Sequence, residues 1–202
     1  MKLSIIVCAY NERDTILTVL ERIRAVDFGA DVTTEIIVVD NCSTDGTREL
    51  LQTVTASNVK AIYQPRNMGK GMSIRTGFDH ATGDYAVIQD ADLEYHPDQL
   101  PKLLAEARSQ NAAAVFGSRV LGGHARYKYA YAYLGVRVLT AITNLLYGSK
   151  LTDVATAIKM VRADVFKSLN LVCTGFDLDF ELVDKIMLAG HPIREVAIDY
   201  AP

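Results

Sequence analysis

The 202-residue sequence contains no tryptophan, three cysteines and five prolines. Cys8, Cys42 and Cys173 lie far apart, show no metal-ligand spacing and cannot all pair. This argues against a disulfide-stapled secreted fold and a structural zinc site, and for a reducing, cytoplasmic compartment. No uninterrupted apolar run of about 18 residues occurs, so no membrane-spanning helix is expected. The opening "MKLSIIVCAY" meets the polar and acidic "NERDT" at once, which reads as a first strand rather than a signal peptide. Strong charge of either sign is also lacking. Twenty-one Lys and Arg oppose 24 Asp and Glu, giving a net charge of -3. There is no basic field to draw nucleic acid. No G-x-G-x-x-G follows the first apolar run, which disfavours a dinucleotide dehydrogenase. Internal repeats and low-complexity linkers are absent.

Half of the residues are hydrophobic and 22% are charged, an ordinary balance for one domain with a real core. Short β-branched runs alternate with helical patterns. "LSIIVCAY", "TEIIVVD", "VKAIYQP", "GDYAVIQD" and "AAAVFGS" read as strands. "RDTILTVLERIRAV", "STDGTRELLQTV", "KGMSIRTGFDHA" and "PDQLPKLLAEARSQ" read as helices between them, with Ile16, Leu17, Leu20 and Ile23 sharing one face of the first. This βαβα order predicts an α/β fold with a mostly parallel, doubly wound sheet flanked by helices. The pattern changes after Arg119. A tyrosine-rich loop runs into an apolar helix carrying Leu134, Val138, Leu139, Ile142, Leu145 and Leu146. "FDLDFELVDKIMLAG" reads as another amphipathic helix, and "REVAIDY" as a short strand.

Ligands of open parallel sheets bind outside the carboxyl ends of the strands. Three strands here end in polar residues: Tyr10-Asn11-Glu12, Asp40-Asn41 and Asp90-Ala91-Asp92. Their ends should open on one crevice. Asp90 and Asp92, with Glu94 two residues on, would repel one another unless a cation sits between them. Such a hard oxygen set suits Mg²⁺ or Mn²⁺, shared with substrate phosphates. An acid-rich turn capping the next helix has the same composition, but three converging polar ends weigh against it. "NCSTDGT", with Asn41 and Ser43, offers hydroxyls and amides at a helix start, fit for an anion or for a plain N-cap. "RNMGKG" adds Arg66, Lys70 and two glycines; it is like a phosphate cradle without P-loop spacing.

Together these segments resemble a glycosyltransferase of family 2 with the GT-A fold. "SIIVCAYNE" is similar to the family's opening strand, "IIVVDNCSTDGT" to V-V-D-D-x-S-x-D-G-T, and "NMGKG" to N-x-G-K-G. "DADLEYHP" is similar to the D-x-D segment and "FGSR" to G-S-R. "LTDVATAIKMVRADVF" and "GFDLDFELVDKI" resemble the polyprenyl-phosphate sugar transferase branch, of the dolichyl-phosphate mannose synthase type. The resemblance implies a nucleotide-diphospho-sugar donor, UDP- or GDP-linked, and inversion at the sugar carbon. It implies one domain over 1–202, with a nucleotide-sugar half at 1–119 and an acceptor-side half at 120–202. Donor contacts would come from Ala9, Tyr10, Glu12, Asp40, Asn41, Ser43, Lys70, Asp90 and Ala91, with Asp40 on the base. Asp90 and Asp92 would hold the metal, assisted by Glu94. Lys70 and Arg119 would meet donor or acceptor phosphate. The family often has proline where Cys8 stands, a second aspartate at Asn41, and an aromatic or glycine pair near Ala157-Ile158. Its equivalent of Tyr200-Ala201-Pro202 usually continues into an arginine and a glycine-rich lid.

Transfer to a hydroxyl needs a general base, and Asp153, Asp179 and Glu181 are candidates, each equally a helix cap. A lipid-phosphate acceptor is already anionic; it needs cations instead, and Arg126, Lys128 and Arg137 would serve. The stretch from Tyr127 to Tyr133 and the helix after it fit peripheral contact with the cytoplasmic membrane face. Packing on the sheet or a homodimer contact fits the same helix. His80, His96, His124 and His191 read as surface or turn residues, His96 being nearest the acids. A sugar nucleotidyltransferase would need a glycine-rich basic segment where "AYNERDT" stands. A non-catalytic nucleotide-sugar sensor stays open as a second reading, and so does transfer to a saccharide hydroxyl.

Overall fold

The computed structural model describes residues 1–121 and 130–201, with side chains of its long helix described from Tyr133 onward. Chain order is β1 (Lys2–Ala9), α1 (Ile16–Ala25), β2 (Thr33–Asp40), α2 (Thr47–Gln52), β3 (Val59–Tyr63), α3 (Lys70–His80) and β4 (Tyr85–Asp90). A 3₁₀ turn at Pro97–Gln99 leads into α4 (Leu100–Ser109), then β5 (Ala114–Ser118) and α5 (Ala130–Tyr147). β6 (Lys159–Arg162), α6 (Ala163–Ser168), α7 (Leu178–Leu188) and β7 (Ile193–Ala197) complete it. His124, Arg126, Lys128 and most of the tyrosine-rich stretch lie outside the described residues.

The seven strands form one sheet in the order β3-β2-β1-β4-β6-β5-β7. Every pairing is parallel except those of β6, which runs antiparallel between β4 and β5. The sequence reading missed β6. Its four residues, Lys-Met-Val-Arg, begin and end with a cation, so no apolar run marks it. The central strands are buried on both faces. Ile5, Val7, Val38 and Val87 pack with α1 and α4 on one side. Ile6, Ile37, Val39 and Ile88 pack with α3, α6 and α7 on the other. That is why these strands read as unbroken apolar runs rather than alternations. In α1 the buried set is Ile16, Val19, Leu20 and Ile23, with Leu17 turned outward in place of Val19.

α5 does not pack on the sheet as the apolar helices do. Its threonines Thr140 and Thr143 are buried, while Leu134, Val138, Leu139, Ile142, Leu145 and Leu146 are exposed, Leu145 by 85%. Asn144 fixes its far end by accepting from the Leu151 amide and donating to the Leu151 carbonyl, both at 2.8 Å. Among the described residues no helix is long and apolar enough to cross a membrane.

At the opposite end of the sheet from the polar strand ends, Glu35 ties β1, β2 and the turn before β4 together. It accepts from Ser4 Oγ at 2.5 Å and from the Thr82 amide at 2.7 Å, and pairs with Lys2 at 2.6 Å. Burial pushes its carboxyl up, but these hydrogen bonds outweigh burial and hold it at about 2. Its folded value lies below its unfolded one, so its stabilisation is present above the ordinary carboxylate range and is lost as pH falls towards 2. In urea melts, Glu35→Gln should therefore be less stable than the native chain at pH 6, and the gap should narrow between about pH 4.5 and 2.

Candidate active site

The carboxyl ends of β1, β2 and β4 open on one cavity of about 460 Å³, as the strand-end argument requires. Its walls include Cys8, Ala9, Tyr10 and Glu12 from the end of β1 and the turn after it, Asn41 after β2, and Asp90, Ala91 and Asp92 from the end of β4 and the turn after it. Asn67, Gly69, Lys70 and Ser73 close one side, and Phe176 arrives from the loop before α7. The turns after all three strands pass through the left-handed region on non-glycine residues: Asn11 at φ 58°, Cys42 at 64° and Leu93 at 66°. Such conformations cost of order 1 kcal/mol each and concentrate at functional sites.

Charge in the cavity is organised around Lys70. Its ammonium lies 2.8 Å from Asp90 Oδ1 and 3.0 Å from Oδ2. Burial works against that charge, but the carboxylates of Asp90 and Asp179 outweigh burial and raise its pKa. Among the described residues no cation pairs with Asp92 in this way. Burial and the nearby Asp90 push its carboxyl up to about 6. Two hard carboxylates, one of them short of positive charge, fit a divalent cation that completes its shell with phosphate oxygens. Glu94 follows close by, its amide donating to Asp92 Oδ1 at 3.1 Å, but its carboxylate is turned to another partner. Its carboxylate accepts from Tyr200 at 2.6 Å, and among the described residues no three acid, His or Cys side chains converge as a metal cage.

Other expected contacts are also redirected. Asp40 is fully buried beneath the cavity wall, where it pairs with Arg48 at 2.6 Å and accepts from the Ser43 amide. It shapes the turn and does not line the cavity. Ser43 likewise spends its hydroxyl on the Asn11 amide. Asn41 accepts from the Met68 amide at 2.7 Å and donates to Asn67 at 3.0 Å. An aspartate there could not donate, so this asparagine is matched to Asn67. Asp153 is fully buried in a two-pronged ion pair with Arg119, at 2.7 and 2.8 Å. Asp179 is bonded to Lys159, and Glu181 to the amides of Val172 and Cys173. None of these three acids caps a helix and none is a free base.

The "NMGKG" segment is not an open phosphate cradle. The Met72 amide near the start of α3 donates to the Thr174 carbonyl at 3.0 Å. Gly69, at φ 89°, and Gly71 exist to admit that strand of backbone. A Cβ on Gly69 would collide with the Thr174 carbonyl, and one on Gly71 would lie 2.7 Å from that of Gly175. This contact delivers Phe176, 75% exposed, to the cavity mouth with its ring 5.7 Å from the Lys70 ammonium. Phe176 and Asn67 went unrecognised in the sequence, because only the seating of one loop on another brings them there.

A mostly parallel sheet covered by helices on both faces, with an acidic pair at its strand ends, is the fold of the GT-A glycosyltransferases it superposes on. The chain belongs to glycosyl transferase family 2, whose pattern it matches over residues 4–169. It is 28% identical over 202 residues to the low-salt glycan biosynthesis hexosyltransferase Agl6 of Haloferax volcanii, covering 99% of this chain and 48% of that one. It is 29% identical over 189 residues to the dolichol-phosphate mannosyltransferase of Pyrococcus furiosus, covering 92% and 53%. The mannosyltransferase PcManGT of Pyrobaculum calidifontis, solved with GDP-Man and Mn²⁺, superposes with a TM-score of 0.69 at 22% identity, over 96% of this chain and 54% of that one. The chain spans about half the length of the curated relatives it matches.

Gly69→Ala should destabilise the chain by about 2–4 kcal/mol in urea unfolding, since it combines a left-handed backbone with overpacking against a carbonyl. Gly148→Ala, also at positive φ but with nothing within 4 Å of the added carbon, should cost less.

Proposed function

We propose that this chain carries out metal-dependent, inverting transfer of a hexosyl group from a UDP- or GDP-sugar to a polyprenyl phosphate. The observation that carries the reading is the cavity in which Asp90, Asp92 and Lys70 meet at the ends of three parallel strands. Opposite charges side by side suit a donor that brings a diphosphate and its counter-cation together. The GDP-Man and Mn²⁺ of the Pyrobaculum mannosyltransferase support the donor and the metal; the Pyrococcus relative's name supports the acceptor. In this reading residues 1–119 form the donor half and 120–202 the acceptor side.

The chemistry follows from what is free and what is paired. An acceptor phosphate oxygen attacks the anomeric carbon on the face opposite the nucleotide. The carbon–oxygen bond to the diphosphate breaks, its electron pair stays on the phosphate oxygen, and configuration inverts. No proton has to be taken from such an acceptor. This suits a site whose candidate bases, Asp153 and Asp179, are both held in ion pairs. Asp90 and Asp92 would hold Mg²⁺ or Mn²⁺, which when bound neutralises the leaving diphosphate. Lys70 is within reach of the same charge. Ala9, Tyr10, Glu12 and Asn41 form the wall against which nucleoside and ribose would lie. Arg119, bound to Asp153 and 5.4 Å from the Tyr200 ring, organises the acceptor side from within the fold.

The exposed leucines of α5 supply the peripheral membrane contact a lipid-linked acceptor calls for. An amphipathic helix whose apolar face is turned to solvent gains by laying that face into the headgroup boundary.

Calorimetric titration with UDP and with GDP, each with and without Mn²⁺, tests the donor site. One nucleotide should bind only with the metal, and Asp92→Ala should weaken it at least about tenfold. Failure of both nucleotides to bind would overturn the reading. In flotation with phosphatidylglycerol-containing vesicles, the double substitution Leu145→Glu and Leu146→Glu should reduce the bound fraction several-fold while leaving nucleotide affinity unchanged. Equal flotation of both forms would remove α5 from the membrane contact.

A further inference from the structure

The cavity wall beyond β2 carries a hydrogen-bond donor whose direction is fixed. The backbone amide of Asn41 donates to the Ala9 carbonyl at 2.9 Å, which ties Asn41 to the end of β1. Its side-chain oxygen accepts from the Met68 amide at 2.7 Å. A backbone N–H can only donate, so that branch of Asn41 is the oxygen and the other is the NH₂ group. The NH₂ group donates to Asn67 Oδ1 at 3.0 Å, and the Gly69 amide donates to the same oxygen at 3.1 Å. Two backbone N–H groups thus set the sense of both side chains. Asn67 lines the cavity, its oxygen already accepts twice, and among the described residues nothing accepts from its NH₂ group.

Its place in the sheet decides what that donor can meet. The strand order runs β2-β1-β4, so Asn41, and Asn67 bonded to it, lie across β1 from Asp90 and Asp92. Two strand spacings, about 10 Å, separate these sides. A nucleoside diphosphate with its phosphates at the acidic pair reaches a comparable distance through its ribose to its base. Uracil and guanine carry a keto oxygen at O4 and O6, where cytosine and adenine carry an amino group. An NH₂ donor can bond the keto oxygen, but it meets an amino group donor against donor. A site built around one such bond rejects the base that cannot make it.

We propose that Asn67 is a specificity-determining residue that donates to the keto oxygen of the donor's base, and that Asn41 holds it in that sense. The proposal deepens the donor reading above and rests on it. Asparagine at 41 is part of the device. An aspartate there would accept from the Asn67 NH₂ group and take it away from the cavity.

The test compares bases rather than single affinities. Mn²⁺-dependent binding of UDP, CDP, GDP and ADP is measured by calorimetry on the full chain, for the native protein, Asn67→Asp and Asn67→Ala, with the melting temperature of each. Asn67→Asp keeps an oxygen for Asn41 and Gly69 and puts a second oxygen where the NH₂ group stood. Its added charge weakens every diphosphate alike, so the ratio between two nucleotides reads the base. The native chain should prefer UDP to CDP, or GDP to ADP, by at least about tenfold. Asn67→Asp should cut that ratio about tenfold or more and bring the amino-bearing nucleotide level or ahead; Asn67→Ala, which needs no new contact to fold, should lower the ratio without inverting it. A ratio unchanged from native in either folded variant would reduce Asn67 to a brace for its loop and overturn the proposal. Equal native affinity for the keto and amino partners would overturn it too, with the donor reading left standing. If the native protein binds none of the four nucleotides, the donor reading fails and takes this proposal with it.

Discussion

Parallel strand register is the constraint from which the site follows. β1 pairs with β2 so that Ala9 stands level with Asp40, and with β4 so that Cys8 stands level with Asp90. Three chain segments far apart in sequence are thereby forced to end on one line. Each must then leave the sheet, and each does so through a left-handed residue. The strand interiors are almost wholly apolar because both faces are covered, and the charged groups gather at the ends, Asp90 at the cavity and Asp40 against Arg48.

The second half of the site is a matter of close approach. α3 runs behind β1, and its first turn receives the carbonyl of Thr174 in place of a ligand. Only glycine at 69 and 71 lets backbone lie on backbone at that distance. The result joins the region after β6 to the first half of the chain and sets Phe176 across from the acidic pair. A motif that looks like an anion cradle thus serves as a seat for a loop, and the lysine between the two glycines reaches the cavity wall and Asp90.

Charge pairing then divides the acids by role. Asp40, Asp153 and Asp179 each lie against one Arg or Lys and hold elements together. Among the described residues Asp92 has no such partner, and burial together with the nearby Asp90 raises its pKa. Asp90 belongs to both groups, held by a lysine that is itself at the cavity wall.

Much of this was legible in the sequence. Unbroken β-branched runs fixed the parallel strands, because strands covered on both faces need no polar alternation. The polar residues at their ends located the cavity, and the order of motifs pointed to the family. That Asp40 and Asp153 pair with arginines and Glu94 with Tyr200 was not legible, because a carboxylate reads alike in sequence whatever it faces. β6 was invisible because its cations are paired or tucked away only in the folded chain. α5's inverted face was legible as apolar but not as outward, since periodicity gives a stripe and not its direction. Local pattern, then, determined which segments are strands and helices and where the strands end. Which side chains meet across those ends depended on contacts between residues as distant as Gly69 and Thr174 or Lys159 and Asp179, and only the tertiary packing decides those.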